Sequence, residues 1–104
     1  MLQIQADRFA KDVDDLTRDD LVQRQLDALT SFTYNLGVVQ FRGSTLRQRV
    51  NANPVDPDIR VQFMRFHKTK GQPVLGLWNR RHDEADEYFG VHTPVPPPPF
   101  PVKR

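Results

Sequence analysis

The side chains of this sequence able to do acid–base chemistry are two glutamates, eleven aspartates and three histidines, and their spacing decides what chemistry is open. Cleavage of an acetal by paired carboxylates needs one acid of raised pKa and a second carboxylate across the scissile bond. Glu84 and Glu87 share one helical stretch with Arg80 and Arg81, whose charge is expected to keep Glu84 ionised, the opposite of what a general acid requires. The aspartates between Asp7 and Asp27 fall mostly on solvent-facing helix positions. No residue is therefore assigned a catalytic role. His67, His82 and His92 are too scattered for a shared metal site, and no cysteine is present for thiolate catalysis, zinc ligation or a disulfide. With no glycine-rich phosphate loop and no Ser, His and Asp grouping, no metal and no cofactor are expected.

The elements that would position these groups are helical. Leu2, Ala6, Phe9, Val13 and Leu16 recur at alternating steps of four and three, which predicts an amphipathic helix from about 2 to 15. Thr17, Asp19 and Asp20 suit the start of a second helix, in which Val22, Leu26, Leu29, Thr33 and Leu36 form a stripe that Gly37 ends. Phe32 widens its apolar arc, so this helix is expected to be the most buried element. Ser44 caps a short helix to Asn51; Asp56-Pro57 starts another that Ile59, Phe63 and Phe66 carry to about 66; residues 67–73 read as a basic loop. A last helix spans about 76 to 89, with Leu77, Trp78, Ala85, Tyr88 and Phe89 inward. Arg81 falls on the same face and needs a partner, Glu84 at i+3 or Asp27 from another helix, while Arg80 and Glu84 form an i,i+4 pair. The spacing predicts no strand.

At 104 residues the chain fits one small domain. Its net charge of +2 conceals segregation: residues 38–81 hold nine Lys or Arg against two Asp, whereas residues 1–37 hold four against seven. Such a basic band suits a polyanion, nucleic acid or an anionic wall, or is simply a solvated face. No recognition motif accompanies it, so nucleic acid is not expected as a partner. No apolar run approaches the length of a membrane span, and residues 1–20 lack a signal-peptide pattern. Six of the nine prolines lie in residues 94–104, a tail expected to be disordered or polyproline II; within it Pro98 to Lys103 matches PxxPx[K/R], a pattern read by SH3 domains or merely a terminal linker.

Several motifs fit together in order: Gln25, Asp27, Ala28, Leu29, Ser31, Phe32, Asn35 and Gly37; then Ser44-Thr45-Leu46 and Asn51; then Gly71, Gly76-Leu77, Arg80-Arg81 and Glu84. Together they resemble the C-terminal lobe of phage-type lysozymes, the endolysin muramidases, over roughly residues 4–90. The departures are Phe66-His67, where that family usually has Trp followed by Asn or Asp, and the family's catalytic Glu, Asp and Thr, which have no counterpart in these residues. The resemblance implies an all-α lobe of about five helices around a buried central helix over residues 1–90, with residues 91–104 as a Pro-rich tail. It implies that Met1 already lies in the helix joining two lobes, and that Tyr34, Asn35, Leu36 and Gly37 line a cleft for peptidoglycan glycan strands. Asn35 would hydrogen-bond an N-acetyl group or merely help to end its helix; Tyr34 would stack on a sugar or simply pack.

The function this implies is a share in peptidoglycan binding and hydrolysis, without activity in the absence of a catalytic lobe; the alternative is an inert peptidoglycan-binding or protein-interaction module. The protein would be made in the cytoplasm without a signal peptide and act at the bacterial cell wall. The stripe on residues 2–16 has no assured partner within the chain, so a catalytic-lobe chain or a second copy is expected to cover it.

Overall fold

The segment from Gln23 to Leu36 forms the central helix α2, with Ala28, Leu29, Phe32 and Thr33 free of solvent. A computed structural model describes residues 2–102, with side chains from Arg8 onward. Around α2 stand α1 (Leu2–Leu16), α3 (Val38–Arg42), α4 (Thr45–Ala52), α5 (Asp58–Met64) and α6 (Leu75–Phe89). The fold is all-α apart from one small hairpin, β1 (Lys68–Thr69) and β2 (Gln72–Pro73), paired antiparallel.

Phe32 is the hub of the core. Its ring meets Phe41, Phe63 and Phe66 edge-on at centroid distances of 6.2, 5.8 and 4.9 Å, an arrangement that suits the ring quadrupoles. Leu29, Leu46, Val50, Ile59 and Tyr88 complete the core, all fully buried. The inward face of α2 is rotated toward Phe32 relative to the expected stripe, and Val22, 47% exposed, precedes the helix instead of packing.

Local signals set the helix ends. The Gln25 side chain accepts from the Val22 N–H at 2.9 Å, closing the start of α2. Thr17 donates to the carbonyl of Val13, so it belongs to the end of α1 and not to the start of α2 as expected. Gly37, at φ +96°, turns the chain from α2 directly into α3, a conformation open to glycine. Ser44 accepts from the Arg47 N–H as the cap of α4, and Asp56 accepts from the Asp58 N–H ahead of α5. α5 ends at Met64, two residues before the expected limit.

Two elements escape the periodicity. α3 is a five-residue helix, too short to show a period, and it brings the helices among the described residues to six against the five expected. The hairpin lies in the expected basic loop. Lys70 and Gly71 both take positive φ, as a tight two-residue turn requires, and the Val74 N–H donates to the His67 carbonyl at its base.

The tail departs from the expected disorder. The Thr93 N–H and hydroxyl both donate to Asp86 at 2.8 Å, the Trp78 indole N–H donates to the Pro96 carbonyl at 2.9 Å, and the Phe100 ring stacks on His67 at 5.3 Å. Prolines cannot donate, but they can accept, and an aromatic face suffices to hold an extended segment. Lys103, part of the PxxPx[K/R] pattern, lies outside the described residues.

The stripe on α1 is likewise covered in part by its own chain. Val13 is fully buried, Leu16 packs on the core, and Phe9 meets Tyr34 edge-on at 5.5 Å. The premise of an unpartnered stripe therefore fails for these three residues, because the helix folds back on α2. The side chains of Leu2 and Ala6 lie outside the described residues.

Candidate functional site

Tyr34 and Asn35 occupy the last turn of α2, where the abrupt stop at Gly37 leaves them facing out of the core. Tyr34 is half-buried against Phe9, Asn35 is exposed, and Leu36 turns back to pack on the core. With Arg8 and Phe9 of α1 they line a pocket of about 400 Å³. Its wall offers an aromatic face, a carboxamide with both donor and acceptor, and a guanidinium. Gly37 does not line it; its part is the turn that ends α2.

A second depression, of about 340 Å³, opens where α3 meets α4 and α5, lined by Val39, Gln40, Thr45, Gln62, Arg65 and Phe66 among others. Of these, Phe66 departs from the family's motif, and Gln40, Gln62 and Arg65 belong to no motif of the sequence. Their common signal is weak: polar residues on short helices show no joint pattern until α3 and α5 are placed side by side.

The predicted ion pair is formed and buried. Arg81 is fully enclosed, its Nε lies 2.9 Å from Glu84 Oε1, and its Nη2 donates to Oε2 at 3.0 Å. Its guanidinium also lies over the Phe32 ring, 5.4 Å from the centroid. The Ser31 hydroxyl donates to the same carboxylate at 2.7 Å, tying α2 to α6, and Arg80 approaches it at 3.6 Å. Asp27, the other partner considered for Arg81, is exposed and accepts from Gln23 instead. Burial pushes the Glu84 carboxyl up against the pull of Arg81, Ser31 and Arg80, and it pushes the Arg81 guanidinium down. Desolvation is the largest of these effects on the Glu84 carboxyl, ahead of the pull of its cationic neighbours. Glu84 is nonetheless enclosed by its partners. Partial desolvation and the nearby Asp27 push the Glu87 carboxyl up.

Much of the basic band is engaged internally. Arg47 donates to the carbonyls of Leu16 and Arg42, Arg49 pairs with Asp58, and Arg60 pairs with Asp86. His67 lies against Met64 O and Phe100, His82 against Thr93 and Asp86, and His92 lines a pocket with Arg24 and Asp83. Among the described residues no helix is long and apolar enough to cross a membrane.

Comparison with known proteins gives this arrangement its family. The phage lysozyme family matches residues 1–84. The chain belongs to the phage lysozyme family. It is 36% identical over 84 residues to the endolysin of Bacillus phage B103, covering 81% of this chain and 32% of that protein. The endolysin of Bacillus phage PZA is 34% identical over 94 residues, covering 90% of this chain and 36% of its own length. The SAR-endolysin of Escherichia phage Mu is 38% identical over 72 residues, 69% of this chain and 42% of that protein. The chain thus spans between about a third and two fifths of the length of these curated relatives.

Within this phage lysozyme segment, Tyr34 and Asn35 come together with two α1 residues absent from the motif reading, Arg8 and Phe9. Phe9 was read only as part of an apolar stripe. The group Arg80, Arg81 and Glu84 lies at the α2–α6 interface and gains Ser31, a residue whose role depends on the packing of helices 53 positions apart.

Proposed function

We propose that this chain is the C-terminal lobe of a phage-type lysozyme, that it holds peptidoglycan glycan strands against the end of α2, and that hydrolysis of the wall requires a catalytic lobe these residues do not contain. The observation that carries the reading is the pocket of Arg8, Phe9, Tyr34 and Asn35, in a chain whose family acts on such polymers. An N-acetyl sugar offers an apolar ring face and an amide. Tyr34 supplies a surface for the first and Asn35 complementary groups for the second. Arg8 adds a charge suited to the carboxylates of wall peptides or muramic acid. The site of action is then the bacterial cell wall.

The inactivity of these residues alone follows from their carboxylates. Glu84 is enclosed by Arg81 and Ser31, and Glu87 lines a depression with Asp83 and Asp86 of its own helix, where a two-carboxylate mechanism needs groups on opposite sides of the scissile bond.

Co-sedimentation with purified wall sacculi, together with an assay for released reducing ends, tests both halves. The chain should sediment with sacculi and release no reducing ends, and Asn35→Ala or Tyr34→Ala should weaken binding roughly five- to tenfold, the value of one hydrogen bond or one aromatic contact. A chain that stays in the supernatant refutes the binding role, and the appearance of reducing ends refutes the need for another lobe.

A further inference from the structure

Away from the end of α2, the Pro-rich tail is seated on an aromatic face. Trp78, on the first turn of α6, is 8% exposed with the tail in place. His67, just before the hairpin, meets it edge-on at 5.2 Å, and its Nδ1 is engaged by the Met64 carbonyl, which fixes the ring. The tail makes two separate attachments. The near one is Thr93, held by Asp86, which in turn is paired with Arg60 at 2.7 Å. The far one is the Pro96 carbonyl on the Trp78 indole N–H, with the Phe100 ring stacked on His67 at an interplanar angle of 10° and edge-on to Trp78 at 6.0 Å. Residues 94–97 between and beside these anchors are exposed. A proline segment without donors cannot add a hydrogen-bonded ladder, so the far anchor rests on one hydrogen bond and two ring contacts.

We propose that the Trp78–His67 face is a second glycan subsite, and that the tail occupies it as an internal competitor. The present occupant shows the chemistry the face accepts: a flat ring with C–H edges lies against the two aromatic rings while a carbonyl oxygen accepts from the indole N–H. An N-acetylhexosamine presents the same pair of features, an apolar pyranose face and an acetamide carbonyl. Lifting the far anchor frees both groups without undoing the Thr93 attachment, because the two share no hydrogen-bonding group. The inference rests on the glycan-binding reading of the chain and extends it to a site distinct from Tyr34 and Asn35.

Trp78 is the sole tryptophan of the chain, so its emission reports this face directly. In the full chain, Phe100→Ser should shift the emission to the red with far-UV circular dichroism unchanged, and an N-acetylglucosamine tetramer should reverse the shift. Phe100→Ser should bind the tetramer several-fold more tightly than the unmodified chain. Trp78→Phe, which keeps a ring but loses the donor, should cancel that gain by calorimetry, roughly tenfold for the lost hydrogen bond. An unchanged emission in Phe100→Ser overturns the competitor. A red shift that the tetramer does not reverse, with Trp78→Phe binding as tightly as its parent, overturns the subsite. Loss of wall binding in Asn35→Ala in the same series leaves the function proposed above standing, whereas absence of glycan binding in every variant removes both.

Discussion

Replacing Glu84 by Gln should be among the most damaging isosteric changes possible in this chain. The side chain keeps its shape, but the enclosed Arg81 guanidinium loses the negative charge at 2.9 Å that compensates it. Arg81 cannot move to solvent, since it is fully buried beneath Phe32 and α2, and its Nη1 already lacks a hydrogen-bond partner. Breaking a buried pair from one side costs about 3–5 kcal/mol, about a fifth or more of the roughly 5–15 kcal/mol that holds a small domain together. For a domain of this size each kcal/mol moves the melting temperature by about 4–8 °C, so a fall of at least about 10 °C is expected. The neighbouring contacts grade the argument: Ser31→Ala, which removes one hydrogen bond to the carboxylate, should cost about 1.5–3 kcal/mol. Arg80→Ala, half-exposed at 3.6 Å, should cost about 1 kcal/mol or less. The double change Arg81→Met with Glu84→Leu should recover most of the loss, because an apolar pair of similar volume carries no desolvation cost. Urea unfolding monitored by circular dichroism supplies each value. A cost below about 1 kcal/mol for Glu84→Gln, or a double variant no better than the single one, would refute the claim that charge compensation of Arg81 is what Glu84 provides.

Leu29→Ala, at a position free of solvent mid-way along α2, should cost about 2–5 kcal/mol in the same unfolding assay, and a value under about 1 kcal/mol would mean α2 is not the core helix. Deleting residues 91–104 should lower the melting temperature by more than a few degrees, since it removes the tail's hydrogen bonds to Asp86 and to the Trp78 indole N–H, at roughly 0.5–1.5 kcal/mol each, with the ring contacts of Phe100; calorimetry showing no change would mean the tail does not dock. Tyr88 gives an alkaline limit. Burial pushes its hydroxyl up to about 12, and it donates to the Pro54 carbonyl at 2.7 Å. Because the folded value lies above the unfolded one of about 10, its stabilisation is whole below pH 10 and is lost as the pH rises through about 12. Tyr88→Phe should flatten that alkaline loss in a pH series of melting temperatures, and a slope identical to the parent's would show that Tyr88 is not the group responsible.

What the sequence determined by itself is what acts over one or two turns of chain. The step of Phe9, Val13 and Leu16 placed α1, Ser44 and Asp56 marked helix starts, and Gly37 marked a stop, because caps, glycine conformations and apolar periods are local properties. The pairing of Arg81 with Glu84 was legible for the same reason, since the two stand three residues apart on one helix. α3 and the hairpin were not, because five residues and two-residue strands are too short to carry a period. The tertiary structure alone decided the rest. It brought Ser31 to Glu84 across 53 residues, set Arg8 and Phe9 beside Tyr34 and Asn35, and laid Pro96 and Phe100 on Trp78 and His67. Composition suggested a free tail, since prolines cannot build a ladder. A proline carbonyl can still accept and a phenylalanine ring can still stack, and whether they do depends on a donor and an aromatic face that only the meeting of Trp78 with His67 creates.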